Sequence, residues 1–336
     1  MAVVDPRAFV PVRLELLPID PSTYARHALH AGDGIWIETN CYADFWIEAL
    51  HAFGFDPVAG LGFTLSSDFD GDQWTMFKFP NEDLRDLYGL RVNELNVWHS
   101  LAEHVAEQLA MGNLLTIDAD AWFLPDTTGI TYHAEHQKTT LAAQMIDLDE
   151  RRLGYFHNAA YYELDGDDFD GLFGRGAYER PDVLPPYVET IRFAGGHDRG
   201  AADLTETVLA LAHSHLSRSP ATNPLARMKK QIQSDLSWLA GSDLATFHRY
   251  AFGTCRQCGA NAELAAAFVG WLDAHDGGGL SDAIEGLLAI ATGCKALEFG
   301  LARVVRGRNL DLDAPFAVME DRWDSAMTEL TQRYGR

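Results

Sequence analysis

The chain changes its hydrophobic pattern about halfway along. Up to about residue 195, short apolar or alternating runs are separated by turn clusters, whereas from about 198 onward nearly every segment repeats apolar residues at helical spacing. Strand-like runs lie at Gly34–Ile37, Trp74–Phe79, Leu114–Ile117, Lys138–Ile146, Leu153–Phe156 and Val188–Phe193. Between them, Tyr42–Phe53 and Val97–Met111 carry helical periodicity. Each is closed by a glycine, Gly54 and Gly112, where the residue after a helix adopts positive φ. The second half predicts helices over 201–217, 222–240, 243–274, 280–305 and 315–333, broken at Pro220, Pro224, Gly241, the Gly277–Gly279 triplet and Pro315. The expectation is an α+β domain over residues 1–195 followed by a helical bundle or cap over 198–336, with the boundary at Phe193–Asp198.

Composition narrows the function. The 336 residues are 47% apolar and include eight Trp, enough to fill a substantial core. Against 26 Lys and Arg stand 49 Asp and Glu, a net charge of −23. Such a surface lacks the cations that hold a phosphate backbone or an anionic bilayer, so neither nucleic acid nor membrane is expected as a partner. There is no long uncharged apolar run and no secretory leader pattern, which predicts a cytoplasmic protein. Four cysteines, at 41, 255, 258 and 294, are too few for a disulfide framework, so each is a buried small residue or a reactive thiol.

Cys41 has the most informative setting. In the run Glu38–Gly54, Tyr42, Phe45, Trp46, Ala49 and Phe53 form one stripe, and Asn40 is a favourable N-cap, which places Cys41 at the first helical position. A helix N-terminus favours the thiolate, and its unpaired N–H groups can hold a developing oxyanion. The alternative is a cysteine that merely packs.

Downstream, Asp118–Thr140 ends in His133-x-x-His136 at the head of a β-like run, so His136 is the better-held imidazole and a candidate general base. HxxH without a suitably spaced third ligand is a weak zinc signal, and no metal is expected. Residues 147–165 read as a hairpin whose returning strand ends at Asn158, which could accept from the imidazole Nδ1–H. Cysteine on a helix start, histidine at a strand head and Asn on the adjoining strand is the papain-like order of a Cys-His-Asn triad.

The stretches ETNCYADFWIEALHAFG, DADAWFLPD, YHAEHQKTT and LGYFHNAAYYELDG resemble the bacterial family known as domain of unknown function 1839, over nearly the whole chain. Over residues 35–170 the chain is more remotely similar to the papain-like N-terminal domain of the butirosin-biosynthesis acyltransferase family, which moves an acyl group from a carrier-protein thioester to an amine. That resemblance implies Cys41 as the acylated nucleophile, His136 as base, Asn158 as orienting residue and Asp120 as the acid of the preceding loop. It also implies a substrate presented on a phosphopantetheine arm of an acyl carrier protein, with no resident cofactor. The chain departs from papain-like peptidases at Ile35, where they place a Gln, so Asn40 or Thr39 would have to supply the side-chain oxyanion donor. An aminoacyl group, as the resemblance more loosely suggests, could pair its ammonium with Glu38 or Asp120, with Tyr132 and His133 as further substrate contacts.

An acidic carrier would need a local basic patch on this acidic protein. The candidates are Arg227, Lys229 and Lys230 near one helix start and Arg303, Arg306 and Arg308 at another helix end; ordinary solvation of helix faces explains them equally well. The Cys255-x-x-Cys258 pair has no second metal-binding half and no thioredoxin-like context, so packing is expected for both, as for Cys294. His99, His104, His213 and His215 have helical settings and no partner pattern. Three functions remain: a cysteine acyltransferase; a cysteine peptidase, amidase or thioesterase using the same residues; and a non-catalytic carrier-binding module.

Overall fold

The computed structural model describes residues 13–180, 182–193 and 201–335. Beyond Phe193, the boundary expected at 193–198 lies outside the described residues. The strands are β1 (Arg13–Glu15), β2 (Phe69–Asp70), β3 (Gln73–Trp74), β4 (Leu90–Glu94), β5 (Leu114–Asp120), β6 (Lys138–Asp147), β7 (Arg152–His157), β8 (Ala160–Asp165) and β9 (Val188–Phe193). The helices are α1 (Ala28–Ala31), α2 (Cys41–Ala52), α3 (Asn81–Tyr88), α4 (Leu101–Ala110), α5 (Gly166–Leu172), α6 (Ala201–Leu216), α7 (Pro224–Leu239), α8 (Leu244–Ala251), α9 (Gln257–His275), α10 (Ser281–Val304) and α11 (Asp313–Tyr334). The chain is thus a mixed α/β protein with an antiparallel sheet and a helical C-terminal region.

It divides into two units. The first takes the chain through Ala31, Cys41–Phe55 and the stretch from Leu84 to β9; the second takes Gly32–Asn40, Asp56–Asp83 and the C-terminal helices. The first half of the sequence therefore contributes to both.

In the first unit the sheet order is β4-β9-β5-β6-β7-β8, with β1 also on β6, and every pairing is antiparallel. Alternation along β5 sorts its side chains between two layers. Leu115, Ile117 and Ala119 face a core shared with Val105 and Leu109 of α4 and Phe169 of α5. The alternate residues Leu114, Thr116, Asp118 and Asp120 face the other way, toward the layer of α2, which packs on β6, β7 and β8.

The stripe on α2 predicts a helix buried along one side, but every residue from Tyr42 to Leu50 is buried. Full burial forces partners onto its two carboxylates. Glu48 accepts from the Tyr24 hydroxyl at 2.6 Å and from the His27 amide at 3.1 Å, and His30 Nδ1 lies 2.5 Å from its Oε1. His30 Nε2 is 3.4 Å from Asp44. Burial opposes a charge on His30, but Asp44 and Glu48 outweigh it and raise its pKa to about 9.

Two predicted strands are not strands. Gly34–Ile37 is a turn, in which the amides of Ile35 and Trp36 donate to the Glu263 carboxylate at 2.8 and 2.9 Å instead of to a ladder. Of Trp74–Phe79, only Trp74 pairs, in the two-residue β2–β3 hairpin around Gly71 at φ 68°. The alternation at Phe77 and Phe79 is still buried, against Phe63, on an extended segment without a partner strand. In the second unit the helix predicted over 243–274 is one run carrying a π-helical turn at Phe252–Arg256 between α8 and α9.

Candidate functional site

Cys41 is the first residue of α2 and is partly buried. The direction of α2 follows from its two ends. Near its C-terminus, Trp46, Leu50 and Phe53 gather round Leu114, the first residue of β5, with Ile191 and Phe193. At its N-terminus the Tyr42 hydroxyl donates to Glu189 Oε2 at 3.0 Å, and Thr116 donates to the same oxygen at 3.3 Å. The helix start therefore points toward the end of the sheet where β5 finishes and β6 begins, on the face that carries Asp118 and Asp120.

That end of the sheet holds an oriented imidazole. Asp120 ends β5 and makes an Asx turn: its Oδ1 accepts from the Trp122 amide at 3.1 Å, which fixes the carboxylate. Its Oδ2 lies 2.6 Å from His136 Nδ1. The imidazole stacks on the Trp122 indole, with ring centroids 4.5 Å apart and planes 13° from parallel. A carboxylate at Nδ1 sets the protonated nitrogen and leaves the Nε2 lone pair free to take a proton. The His136 side chain is 65% exposed, so a substrate can reach it without displacing other residues. Beside it, Thr140 donates to Asp118 Oδ1 at 2.8 Å and Lys138 pairs with Asp118 at 3.1 Å.

The structure therefore gives His136 an acid partner, Asp120, rather than Asn158. Asn158 occupies the β7–β8 turn at φ 46°, and among the described residues no hydrogen bond joins it to His136. Its neighbour His157 points to the opposite layer. There His157 Nδ1 lies 2.6 Å from Asp126, Nε2 lies 2.7 Å from Thr139 Oγ1, and Tyr155 donates to Asp126 at 2.6 Å. His157 and Asp126 are both 1% exposed, so this second His–Asp pair is a sealed structural network.

Tyr132 and His133 are held together by Asp168, at 2.8 Å from the phenol and 3.1 Å from His133 Nε2. The two histidines of the HxxH thus go to different carboxylates. Asn40 is buried and donates to the Phe77 carbonyl at 2.9 Å; Thr39 is partly buried, and Glu38 is exposed at φ 62°. Among the basic candidates, Arg227 pairs with Asp68 and Lys229 with Asp313 at 2.8 Å. Lys230, Arg303, Arg306 and Arg308 are exposed. Arg303 and Arg306 line a groove of about 850 Å³ with Phe299, Leu244 and Lys295. Sequence reasoning missed Trp122 and the orienting role of Asp120; the signal was the Asp-x-Trp spacing, an Asx turn directly before an aromatic residue.

A mixed α/β protein with a buried, cysteine-led helix over an antiparallel sheet, and a carboxylate-held imidazole on the helix side, is the class these observations define. The DUF1839 N-terminal domain matches residues 25–193 and the DUF1839 C-terminal domain matches residues 201–332, and the chain belongs to this family. No curated protein matches the chain. No helix among the described residues is long and apolar enough to cross a membrane.

Proposed function

We propose that the protein is a cysteine-dependent acyltransferase of papain-like design, with Cys41 as nucleophile, His136 as general base and acid, and Asp120 as the orienting residue in place of Asn158. The observation that carries this reading is the 2.6 Å contact between His136 Nδ1 and Asp120, which leaves Nε2 unengaged at the sheet end toward which the Cys41 helix points. In the first half-reaction Nε2 takes the Cys41 proton and the sulfur attacks a thioester carbonyl. The N–H groups in the first turn of α2 hold the oxyanion. Collapse expels the donor thiolate, which receives the proton back from His136 and leaves a Cys41 thioester. In the second half-reaction an amine attacks that thioester, His136 takes the amine proton, and the proton returns to the departing Cys41 sulfur as the amide forms. A thioester is already activated, so positioning and anion stabilisation suffice.

A carrier-protein pantetheine thioester is the assigned donor. Arg227 and Lys229 are paired with neighbouring carboxylates, which leaves Lys230, Arg303, Arg306 and Arg308 as the exposed cations of the second unit available to an acidic carrier. Incubation with an aminoacyl-pantetheine thioester, followed by intact mass, tests the reading. A Cys41 adduct that is absent from Cys41→Ala, and is resolved to amide only when an amine is added, supports transfer. Resolution by water alone makes the protein a hydrolase, and absence of any adduct rejects both.

A further inference from the structure

The second unit carries a groove of about 850 Å³ lined by α8, α10 and the π-helical turn before α9. Lys295, Phe299, Ala302 and Arg303 of α10, with Arg306 in the turn that ends it, follow one another at three- and four-residue spacing. They therefore share one face over roughly 16 Å of rise. Leu244, Phe247 and His248 of α8 form the facing wall, and Arg256 enters from the turn. The groove holds four cations, Arg256, Lys295, Arg303 and Arg306, against the single carboxylate of Glu298, on a chain whose net charge is −23. Two of its large apolar side chains are open to solvent, Phe299 at 62% and Leu244 at 50% exposure.

Ordinary helix-end electrostatics accounts for Arg303 and Arg306, which sit where the carbonyl end of α10 favours cations, but not for Lys295 or Arg256. Those two are held by Glu298: Arg256 Nε donates to Oε1 at 2.7 Å and Lys295 Nζ to Oε2 at 3.2 Å. Lys295 Nζ also lies 5.6 Å from the centroid of the Phe299 ring. The cations are thus spread along the groove with apolar side chains between them, not gathered round one point as a single phosphate requires. A row of carboxylates flanking an apolar stripe matches that layout. We infer that the groove docks an acidic amphipathic helix of a partner protein, with its apolar stripe on Phe299, Phe247 and Leu244 and its carboxylates at Arg303 and Arg306.

The two kinds of side chain do different work. Phe299 and Leu244 shed their water against the apolar anchors of the docked helix and supply most of the affinity. Arg303 and Arg306 steer its approach and fix which way it lies. The rest of the chain is strongly acidic, so like-charge repulsion disfavours the same helix elsewhere on the surface. The acidic carrier of the proposed acyl transfer is a partner of this kind, so the docking deepens that reading and rests on it for the partner's role; the groove itself needs no chemistry at Cys41.

Fluorescence anisotropy tests the docking on the full-length chain. The probe is a labelled synthetic helical peptide of about four turns, with leucine at three- and four-residue spacing and glutamate on both flanks of that stripe. Saturable binding below about 1 mM is expected. It should weaken about fivefold or more in Arg303→Ala and in Arg306→Ala, about tenfold in Phe299→Ala, and not at all in Cys41→Ser. The three groove side chains are exposed, and circular dichroism confirms that their variants fold. A peptide of the same composition with its leucines moved off the stripe should bind at least about tenfold more weakly. Inorganic phosphate, at matched ionic strength, should not displace the probe. No saturable binding by the unmodified chain, equal binding of the rearranged peptide, displacement by phosphate, or binding unchanged in both Arg303→Ala and Phe299→Ala would each overturn the docking. Peptide binding without any acyl adduct on Cys41 would reject the acyl-transfer reading and support the groove alone.

Discussion

His30 makes the stability of the Cys41 helix fall as pH rises through the neutral and weakly alkaline range. Its ring bridges Glu48 and Asp44, two carboxylates on α2, and its pKa is raised from 6.5 to about 9. A group whose folded pKa is raised contributes stability that is complete below its unfolded value and is lost as pH rises through its folded value. Two and a half pH units at about 1.36 kcal/mol each give roughly 3 kcal/mol. Because His30 is only 3% exposed, solvent screening takes little from that figure. Urea unfolding, followed by circular dichroism at intervals from about pH 6 to about pH 10, should show a fall of this order, concentrated between about 6.5 and 9. In His30→Gln the fall over that window should shrink by about this amount, leaving the loss at its alkaline end that the buried thiols of Cys255 and Cys294 contribute. Glu48→Gln should cost about 3–5 kcal/mol at neutral pH, because it leaves buried donors facing a neutral amide. An unchanged slope in His30→Gln, or stability that rises across the window, would refute the reasoning.

Other outcomes follow from the same structure. A Cβ at Gly154 would lie 1.9 Å from the Tyr161 hydroxyl oxygen, which is itself held by Gln144, so Gly154→Ala should lower stability by about 1–3 kcal/mol in the same unfolding assay. Burial and the adjacent Cys294 push the Cys255 thiol up, and a hydrogen bond with Cys258 together with burial pushes Cys294 up. Iodoacetamide at neutral pH should therefore spare Cys255, Cys258 and Cys294 in the folded chain and label them only after unfolding, as peptide mass spectra will show. Asp120→Asn removes the charge that stabilises an imidazolium and should cut the acyl-transfer rate by about a hundredfold or more with little effect on fold. Equal activity in that variant would remove Asp120 from the site.

Much of the fold was legible from periodicity, because long segments average out local accidents. Residues 138–146 and 188–193 read as strands, and the five C-terminal helices were placed within a few residues. The failures were short. β4 and β8 went unrecognised, and the apolar runs at 34–37 and 74–79 look like strands although only Trp36 of the first, and Trp74, Phe77 and Phe79 of the second, are buried, on segments that pair little or not at all. Of the candidate site, Cys41 at a helix start and His136 before a strand could be read locally. The partner of His136 could not, since Asp120 and Asn158 are both polar residues at strand ends, and only the register of β5 on β6, with Asp120 opposite Lys138, places Asp120 beside the ring.

The central claim, that Cys41 is served by His136, is tested most directly by the rate at which iodoacetamide alkylates Cys41 at neutral pH in the unmodified chain and in His136→Ala. A Cys41 served by His136 should react at least about tenfold faster than glutathione, with the rate falling toward that of glutathione in the variant. A Cys41 as slow as glutathione, or one equally fast without His136, would contradict it.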